Sequence, residues 1–138
     1  MKIIGIVFGL LLVPSAFCGL RTEDKPEKDT LLAAITSYNW TWEETASGIK
    51  KTEEVDFFRN GIVRNSTLLW TARWDIAEPR VLVLESLTRR GGVRYVGRRA
   101  YLVFDASFTH FTGFDFNGKT IVEGIRREAV DPKRLPSE

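Results

Sequence analysis

From Phe104 to Arg126 the chain reads FDASFTHFTGFDFNGKTIVEGIR, and no other stretch restricts the fold so tightly. Phe108, His110 and Thr112 fall on one face of an extended chain, with Thr109, Phe111 and Gly113 on the other. Asn117-Gly118 then predicts a two-residue type I′ hairpin turn, whose central residues both need positive φ. Beyond it Thr120, Val122, Gly124 and Arg126 alternate against Lys119, Ile121, Glu123 and Ile125. A hairpin cannot hide an aromatic face by itself, so this one requires a sheet that closes over it.

The chain before it supplies that sheet. Asn39-Trp40-Thr41-Trp42 places both tryptophans on one strand face, and Ala46-Ser47-Gly48 reads as a loop. Glu53 to Phe58 sets Val55 and Phe57 against Glu54, Asp56 and Phe58, and Asn60-Gly61 predicts a turn of the same kind as Asn117-Gly118. Ile62 and Val63 begin the return. From Leu68 to Ile76, Leu68, Trp70, Ala72, Trp74 and Ile76 share one face, the alternation of a sheet with one dry and one wet side. Glu78-Pro79 breaks the ladder, and Arg80 to Leu87 is a strand rich in branched residues. Turns at Arg89-Arg90-Gly91-Gly92 and Gly97-Arg98-Arg99 flank a return from Val93 to Val96, and Ala100 to Asp105 follows. Connections this short force antiparallel neighbours. The expectation is all-β: a small up-and-down barrel or strongly curved meander of about eight strands, because curling until the edges meet removes the exposed edges. Asp29-Thr30 caps a short helix of one or two turns ahead of it, through Leu31 to Ile35.

With 138 residues the chain holds one domain, and 43% hydrophobic with 12% aromatic residues is enough for a packed core. The formal charge of +2 mixes both signs and argues against a dedicated nucleic-acid binder. Lys2, the uncharged run Ile3 to Val13, and Ala16 and Cys18 ahead of Gly19 read as a signal peptide over residues 1–18. The run is too short to span a bilayer. Secretion or a periplasmic location is therefore expected, a lipoprotein signal acylated on Cys18 being the rival. Residues 19–28 then form a linker, 29–128 the barrel and 129–138 a tail. Cys18 is the sole cysteine, so the mature chain carries no disulfide and no thiolate ligand.

The ordered pieces Trp40-x-Trp42, Phe58-x-Asn60-Gly61, Trp70 to Trp74 with Asp75, Tyr101 to Asp105, Phe111-x-Gly113-x-x-x-Asn117-Gly118 and Gly124-Ile125-Arg126 resemble the short lipocalin-like, or calycin-like, β-barrel domain of exported bacterial proteins. The resemblance covers about Trp40 to Arg126. It implies a non-catalytic module, of a kind that accompanies secreted hydrolases in larger relatives. It also implies that Arg126 is structural, packed over a tryptophan at the barrel end. The chain is shorter than a full lipocalin and lacks the Gly-x-Trp signature of that larger family's first strand.

Trp40, Trp42, Trp70 and Trp74, with Arg126, are the candidate ligand-binding residues, since indole faces stack on sugars and apolar ligands at a barrel mouth. The plainer reading makes the tryptophans core. Arg89, Arg90, Arg94, Arg98 and Arg99, interleaved with Tyr95, are the candidate patch for sulfated, phosphorylated or uronic polymers, and alternatively a solvated edge that blocks aggregation. His110, the sole histidine, has no metal-ligand or triad spacing around it. Glu53, Glu54, Asp56, Asp105 and Asp115 show no spacing that demands a catalytic carboxylate pair. No enzyme, cofactor, metal or nucleic-acid partner is therefore expected. Asn39 and Asn65 begin glycosylation-type triplets, and only Asn65, near a turn, is plausible as an acceptor. The expected function is an exported binding module for a carbohydrate or small apolar ligand, with a cell-envelope interaction protein as the alternative. A filled interior points to a surface-acting module and a hollow one to a ligand.

Overall fold

The computed structural model describes residues 24–130 except 68, 88, 91, 92 and 95, and of 24–26, 89, 90, 93 and 94 only the backbone. The segments read as signal peptide (1–18) and, from 131 on, as tail lie outside the described residues. Helix α1 (Asp24–Ser37) runs directly into β1 (Tyr38–Ala46), followed by β2 (Ile49–Phe57), β3 (Ile62–Asn65), β4 (Thr71–Glu78) and β5 (Val81–Ser86). A small hairpin, β6 (Arg89–Arg90) and β7 (Val93–Arg94), interrupts the series before β8 (Arg99–Phe104), β9 (His110–Phe114) and β10 (Ile121–Ala129). Eight strands close a barrel in the order β1-β10-β9-β8-β5-β4-β3-β2, every pair antiparallel. The closed meander expected from the period-two pattern is present. The β6–β7 ribbon stands apart as a two-stranded excursion, its base tied by Ser86 N–H to Arg98 O and Gly97 N–H to Ser86 O, both 2.8 Å.

Alternation fills the interior. Trp40 and Trp42 of β1, Val55 and Phe57 of β2, Leu82 and Leu84 of β5, Leu102 and Phe104 of β8, Phe111 of β9 and Val122 of β10 all point inward and are buried. Aromatic rings pack edge-on and tilted: Trp40–Phe104 at 5.3 Å, Trp42–Trp70 at 5.0 Å, Trp70–Phe116 at 5.5 Å, and Phe111 against Trp40, Trp42 and Phe104. Such offset contacts favour the ring quadrupoles beyond simple area burial. Phe111 also faces Gly124, its register partner, where a Cβ would stand only 2.0 Å from the ring. The strand needs glycine there because a ring occupies the side chain's place.

Four differences from the sequence reading have local causes. The helix is 14 residues long and begins at Asp24, inside the stretch read as linker; its face Leu31, Ala34 and Ile35 seals one barrel end, so burial rather than capping sets its length. Residues 105–109 form a turn instead of starting a strand, and Phe108 adopts φ +52° with its ring buried. The two Asn-Gly pairs are not two-residue turns. Only Gly61 and Gly118 have positive φ; Gly61 N–H bonds Phe58 O and Gly118 N–H bonds Asp115 O, as in type I turns followed by a left-handed glycine. The two-residue hairpin lies at Ser47-Gly48, where both φ values are positive, 52° and 76°. The paired register Ala46↔Ile49 leaves only those two residues to turn.

Candidate functional site

The antiparallel meander gives the barrel two unlike ends. At the helix end lie α1, the start of β1, and the turns 58–61, 79–80 and 105–109. At the far end lie the β1–β2 turn, the β3–β4 loop, the β5–β8 excursion and the β9–β10 loop.

The four tryptophans sit in the core. Trp40, Trp42 and Trp70 are fully buried and Trp74 nearly so. Trp42 donates its indole N–H to Glu44 Oε1 at 2.7 Å, and Trp74 donates to the carbonyls of Phe58 and Ile62 at 3.0 and 3.1 Å. Trp40 Nε1, enclosed by Phe104 and Phe111, has no acceptor among the described residues. Their ring faces are occupied by one another and by phenylalanines. Arg126 belongs to the helix end, with its guanidinium 4.4 Å from the centroid of Tyr38; the ring it covers is a tyrosine, not a tryptophan, because the indole of its register partner Trp40 points inward.

The acidic residues are dispersed. Asp105 organises its turn: Oδ1 accepts the N–H groups of Thr109 (2.8 Å) and His110 (3.0 Å), and Oδ2 accepts the hydroxyls of Ser107 (2.6 Å) and Thr109 (3.0 Å). Burial pushes this carboxyl up, but the Ser107 hydroxyl and the His110 and Thr109 donors together hold it well below the usual carboxylate range. His110 meets Asp105 only through its backbone in these bonds. At the far end Glu53 is buried, paired with Lys51 at 2.9 Å and accepting Asn65 Nδ2 at 2.8 Å. Asn65 also donates to Thr67 and accepts Trp70 N–H at 3.1 Å. It is a buried loop clamp, so the residue read as the plausible glycosylation acceptor has its amide turned inward. Asp115 is buried as well, Glu54 is exposed and Asp56 half-buried. Among the described residues no group of three His, Cys, Asp or Glu could hold a metal ion.

Of the arginine patch, Arg98 and Arg99 are exposed at the far end, and Arg99 Nε lies 3.7 Å from Glu85. Arg89, Arg90 and Arg94 lie on the β6–β7 ribbon, whose register sets Arg89 opposite Arg94. Sequence reasoning missed their neighbours. Lys50, Lys51 and Lys119 are exposed at the same end, as are the aliphatic residues Ile49, Leu69 and Val96. The available signal was an apolar residue beside a turn with no place on an inward face. On the outer wall, Tyr101 and Phe114 are register partners, each about half exposed, beside a groove of about 360 Å³ lined by Arg73, Trp74, Asp75, Val83, Glu85 and Arg99. Comparison with protein families, curated proteins and solved structures finds no match.

Proposed function

We propose that the chain is an exported, non-catalytic, lipocalin-like barrel module that acts through its surface at a cell envelope, with the arginine-bearing far end as its contact for anionic partners. The carrying observation is the filled interior. A lumen packed by Trp40, Trp42, Trp70, Phe104, Phe111 and Val122 favours recognition at the outside, and the exposed Arg98 and Arg99 offer guanidinium groups there. The test is salt-sensitive retention on an immobilised uronate polymer. Retention that falls when Arg94, Arg98 and Arg99 are replaced by glutamate supports the reading, and a chain that passes such a column unretarded at low salt sinks it.

A second reading, recognition of a carbohydrate, is favoured by the outer wall. Tyr101 and Phe114 present half-exposed rings, and the adjoining groove supplies both donors (Arg73, Arg99) and acceptors (Asp75, Glu85) for sugar hydroxyls. Titration with neutral hexose oligomers, followed by amide chemical shifts, tests it. Shifts at Tyr101 and Phe114 support it, and an unchanged spectrum removes it.

A further inference from the structure

We propose that the far end of the barrel is a docking surface for an anionic phospholipid bilayer. The inference rests on the surface-acting reading and names the partner of that end.

The far-end loops are spaced round the rim, because each joins strands that neighbour one another in the closed order. Three of them present or adjoin an exposed aliphatic side chain: Ile49 (73% exposed) at the start of β2 beside the β1–β2 turn, Leu69 (45%) in the β3–β4 loop, and Val96 (58%) in the β5–β8 excursion. The remaining loop carries exposed Lys119 beside Gly118. Lys50, Lys51, Arg98 and Arg99 stand next to the aliphatic residues, all exposed. The carboxylates nearest the rim are withdrawn or paired. Glu53 and Asp115 are buried, and Glu43 is held by Lys50 at 2.8 Å. The exposed Glu54 and Glu123, set back along β2 and β10, are outnumbered by the exposed cations Lys50, Lys51, Arg98, Arg99 and Lys119. The turns of the helix end have no such aliphatic residue; there Phe108 is tucked inside the barrel.

Apolar residues on separate loops around one rim do not form a contiguous pocket, and they bury little against a narrow polymer chain. A plane meets all of them together. A bilayer offers that plane, with an acyl boundary for Ile49, Leu69 and Val96 and a negative surface for the flanking cations. A polyanion in solution would use the cations and leave the aliphatic residues without a role. A second copy of the chain would set one basic rim against another.

The full chain is sedimented with vesicles of phosphatidylcholine and with vesicles of phosphatidylcholine mixed with phosphatidylglycerol. Binding to the mixed vesicles, weak on phosphatidylcholine alone, is the expected result. Replacing Ile49, Leu69 and Val96 together by serine should weaken it more than about tenfold, since apolar insertion is lost. Retention on the uronate polymer should then stay unchanged. Lys50→Glu with Arg98→Glu should weaken both. Leu32→Ser, on α1, serves as a control that leaves vesicle binding intact, and the apolar run Ile3 to Val13 is common to every variant. The serine sites are exposed, so the fold should persist. Amide hydrogen exchange of the unmodified chain gives a reading free of substitutions: mixed vesicles should protect residues 47–50, 66–70, 96–99 and 117–120, and leave 58–61 and 105–109 unchanged. Failure to bind mixed vesicles, binding indifferent to the serine substitutions, or protection absent from the far-end loops each overturns the proposal. Retention on the polymer in those cases leaves the surface-acting reading standing.

Discussion

The barrel's two ends finish the same eight strands in opposite ways. At the helix end Leu31, Ala34 and Ile35 of α1 and the Phe108 ring close over the core, leaving Leu32 of the helix 40% exposed. Half-buried polar groups there serve the chain itself, as Asp105 does for its turn and Arg126 for Tyr38. At the far end the pattern inverts. The buried polar groups Glu53, Asn65 and Asp115 lie inside, and aliphatic residues with cations stand outside. Folding alone gains nothing from exposing Ile49, Leu69 and Val96, so the comparison separates an end built for closure from an end available for contact.

The largest expected effect tests whether the far end is nonetheless a true core. Trp70→Ala removes a fully buried indole that packs on Trp42 and Phe116, and should cost about 3–5 kcal/mol in urea denaturation. A loss under about 1 kcal/mol would mean that this end is loosely packed and that its exposed aliphatic residues reflect poor packing instead of a contact surface.

Next comes the Asp105 turn of the helix end. Asp105→Ala strands two backbone N–H groups and should cost about 1.5–3 kcal/mol. The folded carboxyl is held below its unfolded pKa of about 4, so its contribution is complete above that pH and lost as pH falls through the depressed folded value. Urea melts between neutral and strongly acidic pH should therefore show a shallower acid loss in Asp105→Asn than in the parent chain. Equal slopes would deny the turn its electrostatic role.

A smaller change sharpens the account of Arg126. Arg126→Ala should lose about 0.5–1 kcal/mol with the ring of Tyr38, visible as a lowered urea midpoint, while vesicle and polymer binding at the opposite end stay as they were. The smallest concerns the β1–β2 turn. Ser47→Asn, which suits a left-handed residue before glycine, should stabilise by less than about 0.5 kcal/mol without altering contact at the rim.

The barrel was legible because period-two burial is local. Trp40 and Trp42, Val55 and Phe57, and Leu102 and Phe104 reveal their inward face within a few residues. Turn geometry was less so. Asn60-Gly61 and Asn117-Gly118 carry the two-residue signal, but the register of the flanking strands makes each loop longer. Ser47-Gly48, a weaker signal, makes the tight turn because Ala46 and Ile49 pair. Asp105 and Phe108 were hidden for a related reason: side-chain acceptors replaced the ladder over residues that alternate as a strand does. The arginine cluster was visible as composition. Its gathering with Ile49, Leu69, Lys50 and Lys119 was not, since those residues are far apart in sequence and only closure of the barrel brings them to one rim.

The seam between β1 and β10 carries a consequence for how the molecule is made. Thr41 Oγ1 accepts the Ile125 N–H at 2.8 Å across 84 positions of chain, and Val130 N–H reaches Ser37 O. A polypeptide emerging N-terminus first can pair β1 with β2 early but must leave the other edge of β1 unpaired until the last strand has appeared. Such a ring is completed late and slowly, as non-local pairing is. Losing even the final strand would leave two sticky margins where none existed, which makes an intact C-terminal end the safeguard against polymerisation.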